Sequence, residues 1–378
     1  MLPLIFREIQ KPIENSLFSG KIIVIYGARQ VGKTTLVKEI QKKFLADSSY
    51  FNCDEPDVRS ALSNKTSTEL KSFFGNKRLV ILDEAQRVAN IGLTLKLVAD
   101  TYPNLQIIAT GSSSFDLSNK IEEPLTGRKF EFFLYPLSLE ELARKYSPLE
   151  IQRLLPSCMV YGMYPEIALG ENNAEKKLKE IAKSYVYKDI LQFDALRNAD
   201  AIDRLIKTLA LQIGNEVSYN ELSSLVGINK NTVQRYIRIL EQAFVIFRLN
   251  PFSKNARKEL KKMRKVYFFD TGIRNALINN LNPLDLRQDT GVLFENFMIS
   301  ERIKFLRNRG ESQNSYFWRA HQGAEVDYVE ETNGVIAGYK FKWSKKTFRP
   351  PASFTELYPK SSLSLINRHT FSTFVELS

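Results

Sequence analysis

No stretch of this chain constrains its fold more than residues 21–44. Lys21 to Tyr26 (KIIVIY) is β-branched and uninterrupted, the pattern of a short strand buried on both faces. Gly27-Ala28-Arg29-Gln30-Val31-Gly32-Lys33-Thr34 follows and fits G-x-x-x-x-G-K-[ST] without a mismatch; Leu36, Ile40 and Phe44 then recur at helical spacing. A strand that turns through a glycine loop into a helix wraps backbone N–H groups, and the positive end of the helix dipole, around a phosphate. The expected phosphate contacts are therefore Gly27, Ala28, Arg29, Gln30, Val31, Gly32, Lys33, Thr34 and Thr35. Lys33 should reach the β- and γ-phosphates of ATP, and the Thr34 hydroxyl should take a place on Mg²⁺.

A pattern this short gains weight from a second one. Arg78 to Gln86 (RLVILDEAQ) reads as another apolar strand, and it ends in two carboxylates. A parallel sheet would carry Asp83 to the same strand-end crevice as the glycine loop. Asp83 is then expected to hold Mg²⁺, directly or through water, and Glu84 to polarise the attacking water. The plainer alternative is two exposed acids at a strand end.

At 378 residues the chain exceeds one ordinary core, so two or three domains are expected. A net charge of +12 favours a polyanionic partner, most often nucleic acid or an acidic membrane surface; the plainer alternative is solubility alone. Cys53 and Cys158 match no metal or redox spacing, which suits a reducing cytoplasm. No apolar run approaches the roughly 20 residues that span a bilayer, so no membrane partner is expected.

Further motifs continue the pattern. Leu105 to Thr110 (LQIIAT) reads as a strand running into Gly111-Ser112-Ser113-Ser114, Gly127-Arg128 precede another (KFEFFLY), and YGMYPE occupies 161–166. Together with the glycine loop, LVILDEAQ and LTGRKFEFFLYPLSLEEL, these resemble a broad prokaryotic family of AAA+-type P-loop ATPases. That family is similar to archaeal ATPases of the signalling (STAND-like) branch, and its ATPase module precedes a C-terminal region of unknown function. The resemblance covers essentially the whole chain. It implies an α/β fold with an AAA+-type parallel sheet over 1–136 and a helical lid over 137–200. It also implies a γ-phosphate sensor at Ser112, with Thr110 as second choice. Arg128 would be an arginine finger offered to a neighbouring subunit of a homo-oligomer. A glycine-serine turn and a solvated arginine are the alternatives.

From 201 to 285 the pattern changes to that of a winged helix-turn-helix domain. A helix ends near Gly214, Ser218 caps a second, and Gly227-Ile228-Asn229 turns into a third with Val233, Ile237 and Leu240 facing inward. Arg235 and Arg238 remain on the outer face, as on a recognition helix. Two strands follow, and Lys258, Lys261 and Lys262 lie in the basic connection between them, suited to DNA phosphates. Winged helices also serve as protein-docking modules.

Residues 286–378 read as one helix and a three-stranded meander with a further strand, which resembles the core of PD-(D/E)XK nucleases. That resemblance implies a metal site at Glu295 and Asp327 with Lys342 as the motif lysine. Lys340 stands where the third acidic ligand belongs, and Glu325 is expected to point to the opposite face of its strand. The domain is therefore expected to be a degenerate nuclease. The leading expectation is an Mg²⁺-dependent ATPase acting with DNA. The alternatives are a slow nucleotide switch with a protein partner, and an ATP-regulated nuclease.

Overall fold

The computed structural model describes residues 3–111, 121, 123–170, 173–184, 198–253, 263–311, 313–320 and 323–377. They fall into two compact units, one comprising Phe6–Tyr135 with Gln242–Phe244, the other Met1–Ile5, Pro136–Glu241 and Val245–Ser378.

The first unit is built on five parallel strands: β1 (Ile22–Gly27), β2 (Ser48–Asn52), β3 (Leu79–Asp83), β4 (Gln106–Gly111) and β5 (Lys129–Leu134), in the spatial order β2-β3-β4-β1-β5. The three inner strands are buried along their whole length, which is why their sequences are mostly apolar. Tyr26 pairs with Gly111 and Leu82 with Ala109, so the loop after β1, Asp83 and Thr110 all emerge at the carboxyl edge of the sheet. The loop's two glycines are sterically required. A Cβ at Gly27 would lie 2.3 Å from the Leu134 carbonyl oxygen, and Gly32 has φ of 100° where it caps the helix Lys33–Lys42.

The second unit contains a seven-stranded sheet made of β6 (Glu216–Val217), β7 (Ile246–Pro251), β8 (Arg264–Phe268), β9 (Asn314–Arg319), β10 (Glu325–Thr332), β11 (Val335–Phe341) and β12 (Ser362–Ile366). Their order is β12-β11-β10-β9-β7-β8-β6, with β7–β9 and β11–β12 parallel and the remaining pairs antiparallel. Helices Ala199–Leu211, Tyr219–Val226 and Lys230–Gln242 precede β7. Because β7 pairs with β9, one sheet runs unbroken across the boundary expected at 285/286.

The helix Thr290–Asn308 is buried on nearly every side, and several of the polar residues it buries are paired. The Asn296 amide exchanges hydrogen bonds with the Phe268 backbone, Arg302 pairs with Glu330, and Lys304 donates to the Leu137 carbonyl and to Glu301. The YGMYPE stretch is locked in a similar way. Asp270 accepts from the Met163 and Ile273 amides, and the Asn275 amide donates to the Met159 and Val160 carbonyls.

Candidate functional site

The glycine loop and the acid after β3 meet. The Thr34 hydroxyl donates to Asp83 Oδ2 at 2.6 Å across 49 residues of sequence. Asp83 is 3% exposed, and its Oδ1 accepts the Thr110 hydroxyl. A third hydroxyl, Tyr50 on β2, donates to Oδ2 at 2.6 Å. All three donors are neutral, so the carboxylate is oriented without its charge being cancelled. Burial and the neighbouring Asp83 push the Tyr50 phenol well above its ordinary range, which keeps it a donor. Its ring lies under the Lys38 ammonium, 5.0 Å away. Hydroxyl and carboxylate oxygens on this spacing are a donor set that fits Mg²⁺.

Lys33 Nζ donates to the Gly27 and Ala28 carbonyls at 3.0 Å, holding its ammonium over the loop. Val31, in the same loop, accepts from Arg7 at 2.7 Å, and the other Arg7 nitrogen donates to the Tyr135 carbonyl at 2.6 Å. Glu84 adopts a left-handed backbone with φ of 55°, a conformation costly for a non-glycine residue and concentrated at functional sites. Its amide donates to Thr110 Oγ1, and the Gln86 side chain donates to its carboxylate. Arg7 and Tyr50 escaped the sequence reading. Arg7 precedes every motif, and β2 is a polar edge strand whose SSYFN gives no apolar run.

Ser112, Lys258, Lys261 and Lys262 lie outside the described residues, so of the two sensor candidates only Thr110 is placed, against Asp83 and Glu84. Arg128 immediately precedes β5 and pairs with Asp100 of its own chain at 2.5 Å. On the helix Lys230–Gln242 the stripe Val233, Ile237 and Leu240 is buried, while Asn231, Arg235 and Arg238 are exposed. Asn229, Lys230, Asn231, Thr232 and Arg235 line a depression of about 470 Å³ at its start.

The acidic cluster of the second unit departs from expectation. Glu325 does not point away from Asp327: residues two apart share a face of a strand, and one oxygen from each of Glu295, Glu325 and Asp327 lies within 4.8 Å of the others. Two lysines enter the same cluster. Lys265, on β8 and 2% exposed, pairs with Glu325 and Glu295, and Lys340 pairs with Asp327. The Tyr267 hydroxyl donates to Glu295 and the Phe341 amide to Asp327. Burial and the Glu295 charge raise the Asp327 carboxyl to about 7, against the opposing pull of Lys340 and Lys265. Burial raises the Glu325 carboxyl, but Lys265, Lys340 and a hydrogen bond with Asp327 together hold it below its ordinary value. Lys342, the expected motif lysine, follows β11 and forms no ion pair among the described residues.

Similarity to known proteins agrees with the first unit. Residues 19–143 match a family described as an AAA domain, and residues 152–284 and 290–372 match two domains of unknown function. An uncharacterized protein of Methanocaldococcus jannaschii is 29% identical over 345 residues, covering 85% of this chain and 75% of the relative. One from Mycobacterium tuberculosis is 24% identical over 340 residues, covering 89% and 73%. A Walker-type ATPase of Pyrococcus abyssi aligns with a TM-score of 0.49 at 17% identity, over 71% of this chain and 94% of that one. Among the described residues no helix is long and apolar enough to cross a membrane. The first unit thus resembles an AAA domain, in its matched residues and in its parallel α/β sheet.

Proposed function

We propose that the chain is an Mg²⁺-dependent ATPase that couples ATP binding and hydrolysis to action on DNA through a winged helix spanning 201–285. The Thr34–Asp83 hydrogen bond carries the ATPase reading, because it joins the two halves of a nucleotide site that the sequence keeps far apart. In this reading Lys33 binds the β- and γ-phosphates, and Thr34 and Asp83 hold Mg²⁺. Bound with ATP, the metal neutralises phosphate charge. Glu84, steadied by Gln86, orients the attacking water. Arg128 reaches a neighbouring subunit only by leaving Asp100.

Support for DNA comes from the net charge and from the exposed Arg235 and Arg238 beside the depression at Lys230 and Asn231. The test is steady-state ATP hydrolysis with double-stranded, single-stranded and no DNA, with Lys33→Ala as control. Hydrolysis accelerated by DNA supports the proposal. Slow hydrolysis indifferent to DNA supports the nucleotide-switch reading, and hydrolysis that survives Lys33→Ala overturns the site.

The convergence of Glu295, Glu325 and Asp327 favours one second reading, a metal-dependent nuclease. Against it, Lys265 and Lys340 offset two of the three carboxylates, and Asp327 takes up a proton near neutrality. Cleavage of plasmid in Mg²⁺ or Mn²⁺ that disappears in Asp327→Ala would establish the nuclease.

A further inference from the structure

We propose that the cavity beside Trp343 binds an unpaired base of single-stranded nucleic acid, with the basic segment after it holding the adjoining phosphates. The cavity, about 600 Å³, lies within the second unit. Pro156 and Tyr161 line it from the helix Pro148–Tyr161, Pro283, Leu284 and Asp285 from the segment before the long helix, and Trp343 from the segment after β11. Its volume falls in the range of sites for small organic groups. The Trp343 ring is fixed by an edge contact with Phe294, centroids 5.4 Å apart, and the Arg368 guanidinium stands 6.0 Å from its centre.

The charge of the segment that follows Trp343 selects the occupant. Lys345, Lys346 and Arg349 follow Trp343 and are exposed, as is Arg368, and none of the four pairs with a carboxylate among the described residues. Aromatic surface bordered by uncompensated cations is the combination that stacks bases and tracks a sugar-phosphate backbone. A paired base cannot leave its duplex to enter at no cost, so the site favours single strands. Asp285 is the one carboxylate of the lining, and it can accept from a base N–H. The inference goes beyond the ATPase and winged-helix reading and stands without it.

The test uses the full-length protein, short mixed-sequence DNA and RNA oligonucleotides, and the matching duplex, followed by fluorescence anisotropy and tryptophan quenching. Single strands are expected to quench the fluorescence contributed by Trp343. Trp343→Ala should weaken their binding about tenfold or more, and Trp343→Phe much less. Lys345→Ala with Lys346→Ala should weaken it further at low salt than at high salt. The ratio of single-strand to duplex binding should fall in Trp343→Ala, which separates this site from the winged helix. Thermal unfolding and ATP binding serve as folding controls, and Trp343→Leu replaces Trp343→Ala if the latter does not fold. Single-strand binding indifferent to both Trp343 and the two lysines overturns the proposal. So does absence of quenching, or quenching by a proline-rich peptide and not by an oligonucleotide. The DNA and RNA arms decide which nucleic acid is taken.

Discussion

Buried acids at Asp83 and at Asp327 share a structural address, on β-strands inside α/β units, yet they are surrounded by opposite chemistry. Asp83 is held by three hydroxyls, from Thr34, Tyr50 and Thr110. Asp327 is held by an ammonium and a backbone amide, with Lys265 nearby on the other two carboxylates. Hydroxyls orient a carboxylate and leave its charge available to a cation; lysines consume that charge. The difference shows why the presence of acids is a poor guide to a metal site. The partners of those acids decide the matter.

The largest expected effect lies on the Asp83 side. Glu84→Gln should retain ATP and lower turnover by about 10²–10⁴-fold, while Lys33→Ala should lose tight ATP binding, both read by nucleotide titration and single-turnover hydrolysis. Next comes the other cluster. Lys265→Met leaves the buried Glu295 and the half-buried Glu325 without their shared cation, and urea unfolding should show a loss of about 3–5 kcal/mol. An unchanged midpoint would mean that the lysine does not compensate the acids, and the contrast with Asp83 would collapse.

Tyr50→Phe sharpens the comparison from the hydroxyl side. It removes one donor to a charged acceptor and keeps the ring under Lys38, so the gain in ATP affinity on adding Mg²⁺ should shrink by about tenfold. Affinity in EDTA should not move. The smallest effect is on pH dependence. With its folded value raised to about 7 from an ordinary 3.8, Asp327 contributes stability that is complete below about pH 4 and lost as pH rises through 7. Asp327→Asn should therefore gain on the native protein in thermal stability between pH 5 and pH 8; a difference independent of pH would contradict the assignment.

The division between what could and could not be read from the residues follows the same line. Gly27 to Thr34 and the strand ending at Asp83 are local patterns, visible because strand, loop and helix are consecutive. Tyr50 reaches Asp83 through pairing of β2 with β3, and no periodicity in SSYFN announces it. Arg7 braces a carbonyl 128 residues away, which no local spacing can encode. Glu325 is a different lesson, since its shared face with Asp327 follows from the period of a strand and needed no tertiary information. Its neutralisation by Lys265, 60 residues distant on β8, did need it.

Manganese paramagnetic resonance tests the contrast most directly. Mn²⁺ is titrated into the full-length protein with a non-hydrolysable ATP analogue and compared with Asp83→Asn and Asp327→Asn. The account predicts one tight site per chain, lost in Asp83→Asn and intact in Asp327→Asn. A tight site that survives Asp83→Asn and disappears in Asp327→Asn would contradict it.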